Sequence, residues 1–234
     1  MESEARLMPE ISGIGETVDV CRAAPAHLAL IDADWARLIH HIGPCTLQPR
    51  LQEPYEALIR AVAYQQLHAR AADAIIARFL NLYPISGSET TFPPPDEVLA
   101  TRDGDLRRCG FSTRKITAVK RIAEGALNGL VPSLHAARRM QDDELIARLI
   151  TLPGIGRWTV EMFLMHTLGR MDILPVDDFG VRDGYRFLKS MNTLPTRTEL
   201  EKAGAPCSPY RTIASWYLWR VASLPDYSRM TKEK

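Results

Sequence analysis

Leu152-Pro153-Gly154-Ile155-Gly156-Arg157-Trp158-Thr159 lies between two stretches that read as helix. Upstream, Asp142 to Ile150 carries Leu145 and Leu149 at helical spacing behind an acidic first turn. Downstream, the helical pattern runs to about Leu168. Two helices joined by a tight glycine-containing turn make a helix hairpin. Gly154 and Gly156 are expected to allow positive φ and to let another backbone come close. The unpaired N–H groups that open the second helix point outward as a ready anion site, and a nucleic-acid phosphate fits it. A bare PGxG nevertheless suits any helix-to-helix turn, because Pro and Gly punctuate most loops. Its meaning depends on the rest of the chain.

Working outward, almost every periodic segment is helical. Tyr55, Leu58, Ile59, Val62 and Gln66 repeat behind Pro54, and Ile116, Val119, Ala123 and Leu127 repeat behind the N-cap candidates Ser112 and Thr113. Asp32 to Ile42 reads as one helix, and Phe179 to Lys189 as another with Asp178 as N-cap. Thr196-x-x-Glu199 is a capping box, and Ser208-Pro209 offers an N-cap and N1 proline for a helix over Tyr210 to Leu224. Tyr83 to Pro95, Gly129 to Pro132 and Met171 to Pro175 read as loops, too short and too varied to be flexible linkers. Strand alternation is not evident. The spacing therefore predicts an all-α protein of about ten short helices.

Composition sets limits. The 234 residues are 46% hydrophobic and 24% charged, enough for a full core. No run approaches the roughly 18 apolar residues of a membrane span. Met1 to Ser12 holds three Glu where a secretory signal carries basic residues and an apolar core, so a location in the cytoplasm, or the nucleus of a eukaryote, is expected. Cys21, Cys45, Cys109 and Cys207 form no CxxC pair and read as free buried thiols, without zinc or iron–sulfur ligation. Net charge is only +1, so a nucleic-acid binder has to concentrate its cations. From Arg102 to Glu124 there are seven basic residues against three acids, a run that a solvated helix face also explains.

Combined with Leu174-Pro175-Val176-Asp177-Asp178, the hairpin sequence resembles the helix-hairpin-helix, Gly/Pro-rich loop and aspartate signature of the DNA glycosylase superfamily. Trp158 after Gly-Ile-Gly-Arg resembles the 3-methyladenine DNA glycosylase II branch. Tyr64-Gln65-Gln66-Leu67, Gly110 to Lys115 and Pro209-Tyr210-Arg211 support it, so that the likeness spans roughly residues 50 to 222. The fifty or so residues ahead are too few for the N-terminal α/β domain of the longer bacterial relative, which points to the compact form. The resemblance implies two helical lobes with a DNA-binding cleft between them, within a single glycosylase unit over 1–234. The hairpin-bearing lobe is expected over 55–172, and the second over 20–54 and 173–225.

The resemblance makes Asp178, twenty residues beyond Trp158, the catalytic acid, with Asp177 the competing candidate. A carboxylate there stabilises the oxocarbenium-like sugar and orients or deprotonates water. The same likeness assigns Trp158, Tyr210 and Tyr64 to the base pocket; without it Trp158 and Tyr210 read as core. Gln65, Gln66 and Leu67, with Gly154, Ile155, Gly156, Arg157 and Thr159, are the DNA-binding set. Leu67 is either the wedge that fills the hole left by a flipped base or an ordinary buried leucine, and the two glutamines hydrogen-bond either to DNA or to the hairpin. Bifunctional members place a lysine where this chain has Trp158, which implies a monofunctional enzyme. No cofactor is required. The family's monovalent cation, sodium or potassium, would sit on backbone carbonyls of Leu152, Gly154 and Ile155. The expected partner of this monomer is duplex DNA containing alkylated bases, without any membrane. A non-catalytic hairpin module that senses damage is the alternative.

Overall fold

Side-chain caps and N1 prolines start most of the helices. The computed structural model describes residues 12–83 and 92–224, so the acidic start and most of the 83–95 loop lie outside the described residues. In chain order the helices are α1 (Ser12–Ala29), α2 (Ala33–Ile42), α3 (Pro54–Tyr64), α4 (Ala69–Leu80), α5 (Pro95–Ala100), α6 (Asp103–Cys109) and α7 (Thr113–Leu127). They continue with α8 (Leu134–Arg139), α9 (Asp142–Leu149), α10 (Arg157–His166), α11 (Phe179–Leu188), α12 (Arg197–Gly204) and α13 (Arg211–Arg220). Short 3₁₀ turns cover Ala205–Cys207 and Val221–Ser223. Among the described residues every regular element is helical, and the all-α class holds. The count exceeds the ten expected, because α5, α6 and α8 have only six or seven residues, too few to show a period.

Local chemistry places the ends as read. Asp32 caps α2 by accepting from the N–H groups of Asp34 and Trp35, and Ser112 caps α7 through Lys115. Thr196 and Glu199 form the complete reciprocal box. The reading of Ser208-Pro209 is corrected: α13 begins at Arg211, and the Ser208–Pro209 peptide is cis. The Ser208 hydroxyl donates to Asp172 Oδ2 at 2.8 Å instead of capping the helix. Asp172, from far upstream, accepts from the Arg211 N–H at 3.3 Å.

The chain divides into two compact units, Arg50–Leu168 and the combination of Met1–Pro49 with Gly169–Lys234. In the first, α3 packs on α7 and α10, and Phe79 meets Phe92 and Phe111 at ring distances of 5.7 Å. Its two ends are tied by the Arg50 N–H, which donates to the His166 carbonyl at 2.7 Å.

The second unit is organised on α13, where all seven residues from Thr212 to Leu218 are buried. A helix apolar or satisfied on every side belongs in an interior. Its polar groups are paired: Thr212 Oγ1 donates to the Arg170 carbonyl at 2.7 Å, Ser215 to Arg211 at 2.9 Å, and Tyr217 to Gly43 at 2.9 Å. Leu28, Trp35, Leu38, Val181 and Leu200 pack around it.

Two glycines one turn apart set α11 against α13. A Cβ at Gly184 would lie 2.2 Å from the Leu218 carbonyl oxygen, and one at Gly180 would lie 2.8 Å from Trp219 Cδ1. Only a residue without a side chain allows that approach. Lys189, at the far end of α11, reaches Asp32 and Asp34 at 2.6 and 2.8 Å and ties the helix to α2.

Candidate functional site

The hairpin occupies the unit formed by residues 50–168. After α9, Leu152 N–H donates to Leu149 and Ile155 N–H to Leu152, at 3.1 and 3.0 Å, while both apolar side chains are buried. Gly154 has φ +84°, and a Cβ there would come within 2.8 Å of Ala118 Cβ on α7. Left-handed backbone and close approach therefore both require glycine. Gly156 differs from expectation: its φ is −94°, and nothing lies within 4 Å of where its Cβ would be. It serves as the N-cap of α10, and being glycine it puts no side-chain acceptor on the helix's first N–H groups. Arg157 is held at the surface by Glu161, 2.9 Å away and buried one turn on.

The turn after α3 meets the hairpin. Gln65 Nε2 donates to the Gly154 carbonyl at 3.2 Å and to Thr159 Oγ1 at 3.1 Å. The bond to the hairpin, one of the two roles open to Gln65, is formed. Thr159 was expected at the DNA surface, yet it is buried with its hydroxyl accepting from Gln65 and its N–H bonded to Gly156. Its place is in the support beneath the hairpin. Gln66 takes φ +56°, unusual for a residue with a side chain, and is exposed. Leu67 follows at 41% exposure, which removes the buried-leucine reading. Tyr64 is also exposed, and its hydroxyl donates to Asp73, a bond that pushes its pKa up. Trp158, on the first turn of α10, is half-buried.

The candidate acid belongs to the other unit. Asp178 Oδ1 accepts from the Val181 N–H and from Trp219 Nε1, both at 2.8 Å. The residue is thus an N-cap and the acceptor of a neighbouring indole at once. Asp177 is exposed and pairs at 3.2 Å with an equally exposed Arg197, the kind of contact worth about 0–1 kcal/mol. The geometry separates the two acids. Phe179, directly after Asp178, is 67% exposed. Neither Phe179 nor Trp219 was singled out from sequence. Trp219 joins the acid only through the α11–α13 approach, 41 positions along the chain, and Phe179 has no spacing signal.

Tyr210 stands half-buried at the head of α13, edge-on to His27 at 5.2 Å. Beside it Arg211 grips Asp172 with Nε and Nη2, each at 2.8 Å. Burial opposes ionisation of Asp172, but this fork and the Ser208 hydroxyl outweigh it and hold the carboxyl below the usual range.

Four of the seven bases between Arg102 and Glu124 pair with the three acids of the run. Asp105 pairs with Arg102 and Arg108, Asp103 with Lys120 at 2.6 Å, and Glu124 with Arg121 at 2.6 Å. A solvated face accounts for it. Cys109 and Cys207 are buried, and Cys21 and Cys45 half-buried, all as free thiols. Among the described residues no three His, Cys, Asp or Glu are grouped to hold a metal ion, and no helix is long and apolar enough to cross a membrane.

Residues 59–209 match the family described as HhH-GPD superfamily base excision DNA repair protein. The chain is 43% identical over 224 residues to DNA-3-methyladenine glycosylase 1 of Schizosaccharomyces pombe, covering 94% of this chain and 95% of that one. Its structure is similar to that of a Schizosaccharomyces pombe 3-methyladenine DNA glycosylase in complex with abasic DNA. That similarity has a TM-score of 0.80 and 44% identity, over 88% of this chain and 98% of the other. DNA-3-methyladenine glycosidase from Bacillus halodurans follows with a TM-score of 0.73 and 28% identity, over 88% and 91% of the two chains.

Proposed function

Because the chain belongs to the HhH-GPD superfamily of base excision DNA repair proteins, we propose that it is a monofunctional DNA N-glycosylase removing alkylated purines from duplex DNA. 3-Methyladenine and 7-methylguanine are the substrates assigned to it. What carries the reading is Asp178, held through one oxygen by Val181 N–H and Trp219 Nε1, in a chain that matches this family over most of its length.

An alkylated purine in DNA already carries positive charge. When the bond from C1′ to the base nitrogen breaks, its electron pair neutralises the base, and the positive charge passes to the sugar. In this reading Asp178 faces that sugar, where a fixed carboxylate stabilises the developing cation and orients the water that attacks C1′. The Val181 N–H and Trp219 Nε1 hold the carboxylate in one position.

The departing base needs mainly a surface for a flat cation. Trp158 and Tyr64 in the hairpin-bearing unit, and Tyr210 in the other unit, are aromatic faces of the required kind, each worth about 0.5–2 kcal/mol depending on desolvation. A base is reached only outside the helical stack. Leu67, already exposed at the tip of the turn after α3, is the side chain to fill the gap. Gln66 beside it contacts the DNA, and the head of α10, with Arg157, holds a phosphate.

Leu152 O accepts from Ile155 N–H and Gly154 O from Gln65, which leaves each carbonyl a second lone pair. With Ile155 they suit a sodium or potassium ion, which would supply positive charge for the same phosphate. Every other step uses the chain's own groups, and the protein acts as a monomer. With Trp158 in the position of the bifunctional lysine, an intact abasic strand is the product.

The test is incubation of the purified protein with dimethyl-sulfate-treated duplex DNA. Free 3-methyladenine and 7-methylguanine are expected, with strands that break only after alkali. Binding without base release would contradict the proposal in favour of a damage-sensing module. A borohydride-trapped covalent product would contradict its monofunctional part.

A further inference from the structure

Lys115 opposes the local electrostatics of its own helix. It occupies the third position of α7, where the unpaired N–H groups make a cation unfavourable. Burial also pushes its pKa down. Its ammonium is instead directed across to another element, donating to the carbonyls of Ala63 and Gln65 at 2.9 Å each. These are end carbonyls of α3, which otherwise lack helical partners.

The residue so fastened begins the turn that presents Leu67. Its side chain leads on to the hairpin, through Gly154 O and Thr159 Oγ1. α7 touches the hairpin independently, where Ala118 faces Gly154. The turn from Tyr64 to His68, the head of α7 and the phosphate-facing hairpin are therefore one hydrogen-bonded piece. Within it Gln66 is held at φ +56°, a conformation that persists only where its surroundings enforce it.

We propose that Lys115 and Gln65 are positioning residues for base extrusion, fixing the Leu67 wedge in register with the hairpin that grips the backbone. The inference rests on the glycosylase reading of Leu67 given above. An untethered wedge still sits on the molecule, but it spends its insertion free energy on ordering the turn rather than on opening the duplex.

The test uses the full chain with Lys115→Met, Lys115→Arg and Gln65→Ala. Single-turnover excision is compared for one lesion paired with its normal partner and for the same lesion opposite an abasic gap, where extrusion is cheap. The Met and Ala variants should lose about tenfold on the paired substrate and clearly less opposite the gap, and the Arg variant should recover part of the loss. Equal slowing on both substrates, as general loosening of the fold would give, or no slowing on either, would overturn the proposal. If Lys115→Met fails to fold, Gln65→Ala decides by the same ratio.

A second readout does not depend on excision. 2-Aminopurine opposite the lesion should brighten on binding of the wild type and brighten less with the variants at saturating protein. Equal brightening would overturn the proposal. Brightening without excision by the wild type would instead count against the glycosylase reading.

Discussion

Trp219 Nε1 and Val181 N–H converge on the same oxygen, Oδ1 of Asp178, each at 2.8 Å. The acid is thus fixed from two directions, by the start of its own helix and by the end of α13. A hydrogen bond to a charged group is worth about 1.5–3 kcal/mol. Trp219→Phe keeps an aromatic face and removes the donor, so excision should slow about ten- to hundredfold with duplex affinity little changed. Single-turnover kinetics beside a binding titration check this, and an unaltered rate would show that the indole does not position the carboxylate.

Gly180 tests the same contact from the other side. A methyl group there would meet Trp219 Cδ1 at 2.8 Å and Asp178 Oδ1 at 3.2 Å. In an exposed helix Gly→Ala stabilises by about 1 kcal/mol. Here we expect Gly180→Ala to lose at least about tenfold in excision rate because the indole must move. Loss of activity with a Tm close to wild type is the expected signature, and full activity would refute it.

The two hairpin glycines should behave differently. Gly154→Ala combines positive φ with a 2.8 Å approach to Ala118, and should lower both Tm and DNA affinity. Gly156→Ala meets neither obstacle and should leave Tm nearly unchanged. Thermal melts of the two proteins, with fluorescence anisotropy for DNA, distinguish them; equal melting losses would contradict the assignment.

Asp172 gives a pH dependence of known sign. Its folded pKa is depressed, chiefly by Arg211 against the opposing effect of burial. The stability it contributes is therefore complete above the unfolded value of about 3.9 and is lost as pH falls through the lower folded value. Asp172→Asn should melt below wild type at neutral pH, and the gap should close only under pH about 4. Both partners are about a third exposed, so salt should shrink the gap. A gap independent of pH would mean that the charge contributes nothing.

Local signals were the legible part of this chain. The caps at Ser112, Asp178 and Thr196 depend on residues within three positions, and each forms as read. Ser208-Pro209 carried the same signal and misled, because Asp172 competes for the hydroxyl and caps Arg211 itself. α4 carries Ala72, Ile75, Ile76 and Phe79, all buried at helical spacing, yet was not among the helices read from the sequence. Leu67 was not readable, since an apolar residue in a turn looks alike whether covered or exposed. Lys115 and Trp219 were invisible for a different reason: each acts on a distant segment through a contact that only tertiary packing creates.

The central claim is that Asp178 carries the charge that stabilises the sugar cation. Asp178→Asn retains a side-chain oxygen for the Val181 and Trp219 donors while removing the negative charge. Measured on duplex DNA containing 7-methylguanine, the asparagine protein should bind with near wild-type affinity and release no base on the wild-type timescale. Turnover at the wild-type rate would place the essential acid elsewhere.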